Sequence, residues 1–112
     1  MSESDAFDVT DMTVDSFLAS SDSLIVVEFW DPWCGLCAAM APHYDRLVKK
    51  YKEQGKFGKL NIRQYSRSKN RFKVEETPTF VFFRNGKEVG RISGLIEPPS
   101  RLDDELKKHL QA

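Results

Sequence analysis

An apolar segment that ends in a turn and two cysteines constrains this sequence more than any other feature. Residues 24–30 form an apolar run of strand-forming residues, interrupted by one acidic side chain. Asp31-Pro32 then marks a turn, and Cys34 and Cys37 follow it before helix-forming alanine and methionine residues. Cys34 therefore lies where a strand passes into a helix. The free backbone N–H groups and the positive dipole of a helix start stabilise a thiolate at such a position.

The close spacing of the two cysteines favours redox chemistry over a structural crosslink. A disulfide that closes so short a loop contributes only about 2 kcal/mol through chain entropy. A reducing cytosol would also keep such a bond open. Cys34, exposed at the helix start, is expected to attack a substrate disulfide, and Cys37, one turn deeper, to resolve the mixed disulfide. An inert buried pair, or half of a metal site, is the alternative.

Length and net charge restrict the class of protein. A chain of this length fits one domain, taken as residues 1–112 with residues 1–6 frayed. The net charge is zero, from 17 basic and 17 acidic residues, which argues against nucleic acid or a membrane surface as a partner. No apolar run reaches the ~20 residues of a membrane span, and the first residues lack the basic start and apolar stretch of a signal peptide. We therefore expect a cytoplasmic protein.

The charges are distributed unevenly along the chain. No Lys or Arg precedes Arg46, whereas nine acidic residues do, so the two parts carry charges of −9 and +9. Two parts that interleave within one domain would neutralise each other, and a docking face for a partner is the alternative. The basic residues between 63 and 73 are interpreted as a solvated helix face, because few aromatic side chains that could stack on bases accompany them.

Hydrophobic periodicity and turn residues predict the element order β-α-β-α-β-α-β-β-α. Residues 24–30, apolar on both faces, are expected to form a central strand of a sheet covered by helices on both sides. Asn85-Gly86 predicts a tight hairpin turn, which needs positive φ angles. Pro42 is expected to bend the long helix after Cys34. The predicted strands span residues 7–9, 24–30, 56–62, 79–83 and 88–92, and the predicted helices span residues 13–20, 34–51, 66–72 and 98–110.

Four further side chains are assigned by position. Thr13 is predicted to cap the first helix. Trp30 is predicted to lie in the core. His43 and His109 are predicted to be surface residues, because neither has a zinc-finger spacing relative to the cysteines.

Several motifs, in the same order along the chain, resemble the thioredoxin family. They are Trp33-Cys34-Gly35-Leu36-Cys37, the proline loop Thr77-Pro78-Thr79, the hairpin Asn85-Gly86-Lys87, and Ser93-Gly94-Leu95. A lone pair of cysteines would be weak evidence, but this combination spans nearly the whole chain. The resemblance implies an α/β thioredoxin fold, with a central mixed β-sheet flanked by helices on both faces. It also implies disulfide exchange on protein disulfide substrates, with a reductase as the electron donor.

Glu28 is the one charge in a run that should be buried on both faces. Its burial costs several kcal/mol unless the carboxyl is paired or protonated. It resembles the buried aspartate of thioredoxins, which implies that it accepts the proton of Cys37, and Lys59 resembles the usual partner of that acid. The alternative is that Glu28 points outward and pairs with Lys59 for structural reasons.

The proline loop and its neighbours resemble the substrate-binding part of the family. A cis Thr77–Pro78 bond would direct the backbone of Thr77 toward the thiols, so that a substrate segment could add as an extended strand. Trp33, Thr77, Gly94 and Leu95 would then form an apolar docking rim. Gly35 and Leu36, between the cysteines, complete the expected substrate contacts.

The sequence departs from the family pattern at four positions that bear on redox poise and partners. Leu36 replaces a proline, Ala38 a common lysine, Arg63 a frequent aspartate, and Thr77 a frequent isoleucine. We expect a monomeric protein-disulfide oxidoreductase that needs no cofactor besides its redox-active cysteine pair. A redox-inert module of the same fold, or a carrier in which two chains share a metal or iron–sulfur cluster, is the alternative.

Overall fold

The computed structural model of the protein describes residues 5–111. Its elements follow the predicted order, β-α-β-α-β-α-β-β-α. The strands are β1 (Phe7–Asp8), β2 (Leu24–Trp30), β3 (Gly55–Asn61), β4 (Thr79–Arg84) and β5 (Lys87–Ser93). The helices are α1 (Val14–Leu18), α2 (Gly35–Tyr51), α3 (Ser66–Arg71) and α4 (Ser100–Leu110).

The five strands form one mixed sheet in the order β1-β3-β2-β4-β5. β2 pairs in parallel with β3, which pairs in parallel with β1, whereas β4 runs antiparallel to both β2 and β5. Asn85 and Gly86 have φ angles of 54° and 79°, as the predicted hairpin turn requires. β2 is therefore central, and its carboxyl end delivers the chain directly to the cysteines.

Side-chain alternation along β2 divides the core into two layers. Leu24 and Val26 pack with α2 and α4, and Ile25, Val27 and Phe29 pack with α1 and the segment around α3. Helices thus cover both faces of the sheet, as predicted. Successive side chains of a strand point to opposite faces, so Glu28 lies on the same face as Leu24 and Val26. It therefore points toward α2, the helix that carries Cys37.

Several element boundaries differ from the prediction. α1 ends at Leu18, two residues before the predicted end at residue 20. α4 begins at Ser100, two residues after the predicted start at residue 98, so Pro98 and Pro99 precede the helix. Thr13 precedes α1 but does not cap it, because its Oγ1 accepts a hydrogen bond from the N–H of Thr10 at 2.9 Å. α2 runs through Pro42 without interruption.

The predicted fraying of residues 1–6 falls mostly outside the described residues. Residues 1–4 are not described. Ala6, which is described, packs against the core layer beside α2, directly before β1, which pairs with β3. The fraying of residues 1–6 stays a prediction.

His109 is buried, and its prediction as a surface residue is wrong. The residue is 7% exposed, and its ring centroid lies 5.0 Å from that of Phe82. A Cβ on Gly90 would approach the His109 Nε2 to 2.5 Å, so the missing side chain of Gly90 makes room for the ring. Nε2 also lies 3.2 Å from a carboxylate oxygen of Glu105.

Ion pairs join the acidic and basic parts of the chain. Arg63 pairs with Asp31 at 3.0 Å, and Arg71 pairs with Asp15 at 2.7 Å. These contacts agree with the interpretation that the two parts neutralise each other within one domain. In residues 5–111, no helix is long and apolar enough to cross a membrane.

Candidate active site

The Cys34 thiol lies over the free amide groups at the start of α2. Cys34 is the N-cap residue, with extended φ and ψ angles of −101° and 115°. Its N–H donates to the Asp31 carbonyl at 3.1 Å, which closes the turn after β2. The Cys34 Sγ accepts a hydrogen bond from the N–H of Cys37 at 3.1 Å. A helix N-cap position with a thiol in place of a hydroxyl thus directs an unpaired amide at the sulfur.

The hydrogen bonds around Cys34 stabilise its thiolate. Partial burial by itself raises the pKa of this thiol, but hydrogen bonds with the Cys37 thiol and with the Thr77 side chain act in the opposite direction. The backbone N–H groups of Cys37 and Leu36 lower the pKa further. The net result is a pKa below the ordinary cysteine value, which favours nucleophilic attack by Cys34.

Cys37 has the opposite environment. The residue is 5% exposed, and burial together with the hydrogen bond to Cys34 raises its pKa to about 12. Both cysteines are free thiols, and they are three positions apart on one turn of helix. The structure therefore places one accessible, acidic thiol above one buried, weakly acidic thiol.

The Thr77–Pro78 peptide bond is cis, and the loop that contains it faces Cys34. The Cys34 thiol donates to the Thr77 carbonyl at 3.4 Å. The Pro78 carbonyl accepts a hydrogen bond from the N–H of Gly94 at 2.9 Å. Gly94 has a φ of 80°, a conformation that glycine adopts without strain. The two loops that were predicted to bind substrate are thus joined to each other beside the nucleophile.

Exposed apolar side chains surround this junction. Trp33 is 78% exposed, Leu95 is 56% exposed, and Leu36 is 40% exposed. Gly35 is exposed at the first position of α2, and nothing crowds its Cα. The predicted docking rim of Trp33, Thr77, Gly94 and Leu95 therefore combines two exposed apolar side chains with the backbone of Thr77 and Gly94.

A cavity of about 270 Å³ connects the cysteines to the buried acid on β2. Glu28 and Lys59, which are opposite each other in the register of β2 and β3, line it together with Cys34 and Cys37. The remaining lining residues are Trp30, Asp31, Pro32, Ala38, Ala41, Tyr44 and Asp45. The four predicted catalytic residues therefore share one space.

Glu28 points into this cavity and is 5% exposed, so the alternative of an outward-pointing structural ion pair is wrong. Burial raises the pKa of its carboxyl to about 7, against the attraction of the Lys59 ammonium, and the charge of Asp45 adds to the increase. Within the described part of the chain, no direct hydrogen bond or ion pair joins Glu28 to Lys59. Lys59 thus acts on Glu28 through space.

The sequence interpretation missed two residues of α2 that line the cavity. Tyr44 is fully buried, donates its hydroxyl proton to the Gly58 carbonyl at 2.8 Å, and has a pKa raised well above its usual value by burial. Asp45 is half-buried. Both lie seven or eight positions beyond Cys37, two helical turns along the same face, so helical spacing from Cys37 could have identified them. Trp30, predicted as core, is half-buried and lines the cavity instead, because β2 ends there.

Arg63 holds the exposed tryptophan of the docking rim. Its guanidinium lies 3.8 Å from the centroid of the Trp33 ring. Its Nε and Nη2 donate to the two carboxylate oxygens of Asp31 at 3.1 and 3.0 Å. The same carboxylate accepts the N–H of Trp33 at 2.8 Å. One carboxylate therefore fixes both members of a cation–π pair next to Cys34.

Comparisons with known proteins agree with this arrangement. The family model for thioredoxin matches residues 5–110. The chain belongs to the thioredoxin family. It is 33% identical over 105 residues to thioredoxin 1 of a Nostoc species, covering 94% of this chain and 97% of the relative. It is 35% identical over 103 residues to the chloroplastic M-type thioredoxin of Spinacia oleracea, covering 92% of this chain.

The chain spans 56% of the length of the spinach relative and 59% of the length of the M-type thioredoxin of Pisum sativum. Among solved structures, the oxidized form of mitochondrial thioredoxin 3 from Saccharomyces cerevisiae superposes with a TM-score of 0.83 at 27% identity. That match covers 92% of this chain and 94% of the yeast chain. The predicted family and the predicted thioredoxin fold are both confirmed.

No group of three or more His, Cys, Asp or Glu side chains in residues 5–111 is arranged to hold a metal ion. The histidine nearest in sequence to the cysteines, His43, instead has its Nδ1 3.0 Å from the Nη2 of Arg46. The two thiols, the buried acid and the docking rim are thus the chemically distinctive groups of this thioredoxin site.

Proposed function

We propose that the protein is a thiol–disulfide oxidoreductase that reduces protein disulfides through a reversible Cys34–Cys37 dithiol/disulfide pair. The observation that carries the proposal is the asymmetry of the two thiols. Cys34 is accessible and receives the Cys37 N–H, whereas Cys37 is buried in a cavity that contains a carboxyl. Relatives that are named thioredoxins support the same reaction.

The first step is attack by the Cys34 thiolate on one sulfur of the substrate disulfide. A bond forms between Cys34 and that sulfur, the substrate S–S bond breaks, and the leaving sulfur takes a proton. A substrate segment that lies along the Thr77 backbone, between Trp33 and Leu95, would present its disulfide to Cys34 in an extended conformation.

The second step is attack by Cys37 on the Cys34 sulfur of the mixed disulfide. Cys37 must lose its proton, and burial, the main cause of its raised pKa, makes this thiol a weak acid that needs a proton acceptor. Glu28, with a pKa of about 7, is the acceptor in the same cavity. The Cys34–Cys37 disulfide forms, and the second substrate thiol is released with a proton. Lys59 favours the ionised form of Glu28 and so supports its role as base.

Capture of the mixed disulfide tests this function. The wild type should reduce the interchain disulfides of insulin when dithiothreitol regenerates the dithiol. Cys37→Ser should instead accumulate a covalent adduct with insulin that is visible by mass spectrometry and reversed by excess reductant. Cys34→Ser, the matched control, should form no such adduct. An adduct with Cys34→Ser but not with Cys37→Ser would contradict the assigned roles.

Four further properties belong to this proposal. Electrons come from a reductase that reduces the Cys34–Cys37 disulfide, and no other cofactor takes part. The protein acts as a monomer, because one chain supplies both thiols, the proton acceptor and the docking rim; a dimeric mass by light scattering would contradict this. It binds neither nucleic acid nor membrane. It works in a reducing compartment, which we take to be the cytoplasm, because the pair must return to the dithiol.

A further inference from the structure

The ion pair beside Trp33 leaves its cation more exposed than its anion. The Arg63 side chain is 47% exposed, whereas that of Asp31 is 18% exposed. A guanidinium has five N–H groups, and the bonds to Asp31 use only the edge formed by Nε and Nη2. The opposite edge, with Nη1, has no partner within residues 5–111. The pair is neutral as a whole, but a ligand at the surface meets its positive side.

This exposed edge lies where a substrate would approach the nucleophile. Trp33 directly precedes Cys34, and its ring is held under the guanidinium at 3.8 Å. A substrate segment that contacts the Trp33 ring would therefore place its neighbouring side chains within reach of Arg63. In water, an exposed carboxylate near this edge would gain a modest attraction that salt weakens.

The other side of the docking rim carries the opposite charge. A carboxylate oxygen of Glu76 lies 3.0 Å from the position that a Cβ on Gly94 would have. Lys59 lines the cavity beneath the cysteines, so its charge does not lie on the rim. The rim thus has a cation beside Trp33 and an anion beside Gly94, so its two ends present opposite charges to an approaching substrate.

We propose that Arg63, stacked on Trp33, is a specificity-determining residue that favours substrate disulfides with an acidic side chain next to the cysteine that docks at Trp33. The proposal rests on the proposed disulfide reductase function and adds the charge class of its substrates. Asp31 serves as a positioning residue, because it holds both the guanidinium and the Trp33 backbone. An arginine suits this place, since its planar group stacks on an aromatic ring and binds a carboxylate with two hydrogen bonds at once.

Three disulfide peptides that differ only at the residue beside the cysteine test this proposal. The residue is Glu in one peptide, Gln in the second and Lys in the third, and kcat/KM is measured for each. The wild type should reduce the Glu peptide about two- to five-fold faster than the Gln peptide, the range that an exposed ion pair supplies, and the Lys peptide more slowly still. Arg63→Gln should make the kcat/KM values of the three peptides nearly equal, and Arg63→Glu should make the Lys peptide the best substrate and the Glu peptide the poorest.

Arg46→Gln is the matched control. Arg46 is an exposed arginine of α2, twelve positions beyond Cys34 and therefore about 18 Å along the helix. Its loss changes the net charge equally and should leave the order of the peptides unchanged. A preference that responds equally to Arg46→Gln and Arg63→Gln would overturn the proposal, because it would reflect net charge and not the rim.

Wild-type protein alone also tests the proposal, so the test does not depend on the folding of Arg63→Glu. Between about 0.01 and 1 M salt the Debye length falls from about 30 to about 3 Å, and the preference for the Glu peptide should shrink accordingly. A preference that is independent of salt, or the same order of peptides in a folded Arg63→Glu variant, would overturn the inference. Failure of the wild type to reduce any of the peptides would instead contradict the proposed function.

Discussion

Replacing Glu28 with glutamine should stabilise the protein, and only above a defined pH. Burial raises the pKa of this carboxyl from 4.5 to about 7 in the folded protein. Each pKa unit corresponds to about 1.4 kcal/mol, so the difference amounts to about 3 kcal/mol. Glu28→Gln keeps nearly the same size and shape but never ionises, and it therefore avoids this cost.

The sign of the effect follows from proton binding in the two states. Below about pH 4.5 the carboxyl is protonated in both the folded and the unfolded chain, and ionisation of Glu28 costs no stability. Between about pH 4.5 and 7 the unfolded chain releases this proton while the folded protein keeps it, so folding stability falls as the pH rises. Above about pH 7 the full cost is present.

Urea denaturation of the reduced protein measures this difference. At about pH 8 the free energy of unfolding of Glu28→Gln should exceed that of the wild type by about 3 kcal/mol, and near pH 4 the two should coincide. Titrating groups that do not interact with Glu28 cancel in the comparison, because they are common to both proteins. Glu53→Gln, at an exposed position in the turn after α2, controls for the loss of one negative charge. A stability difference of the same size at both pH values would refute the reasoning.

Three further predictions concern the cysteines and the packing of α4. Iodoacetamide at neutral pH should alkylate reduced Cys34 far faster than Cys37, because their pKa values are shifted in opposite directions; equal rates by mass spectrometry would contradict the assignment. Leu36→Pro removes a backbone N–H that stabilises the Cys34 thiolate, a bond of roughly 1.5 to 3 kcal/mol, so the potential against glutathione should fall by about 30 to 60 mV. An unchanged potential would show that this amide does not act on the sulfur. Gly90→Ala should lower the free energy of unfolding, measured with urea, by about 1 to 3 kcal/mol, because its Cβ would approach His109 to 2.5 Å. In a His109→Ala background, Gly90→Ala should cost much less stability. Equal costs in the two backgrounds would show that the contact with His109 is not the cause.

The parts of the fold that depend on local sequence were predictable. The limits of β2 match the prediction residue for residue, because the run is apolar on both faces and ends at Asp31-Pro32. The hairpin followed from Asn85-Gly86, whose positive φ angles few other residue pairs adopt easily. A few neighbouring residues determine such features, so they can be predicted without knowledge of tertiary packing.

The features that the sequence did not predict correctly depend on contacts between segments that are distant along the chain. His109 continues the apolar stripe of α4, but two lysines precede it, and its burial requires the space beside Gly90 on β5. The stack of Arg63 on Trp33 joins residues at the ends of two strands. The register that pairs Trp30 with Asn61 brings the turns after β2 and β3 together, and sequence alone does not supply this register.

The face of β2 on which Glu28 lies explains both the stability cost of this carboxyl and its proposed role as the proton acceptor of Cys37. Even-numbered positions of β2 face α2, and Glu28 lies in the same cavity as Cys37. A carboxylate there is costly, whereas an apolar side chain would add to the core, so folding alone does not account for the acid. If Glu28 accepts the Cys37 proton, the rate of release of the mixed disulfide should rise with pH around pH 7, where Glu28 ionises in the folded protein and the decline in folding stability ends. Glu28→Gln should then gain stability, release the mixed disulfide more slowly with no rise near pH 7, and leave the first attack by Cys34 little changed. A variant that gained the stability but kept the wild-type release rate and its pH dependence would show that the cavity holds a buried acid that catalysis does not use.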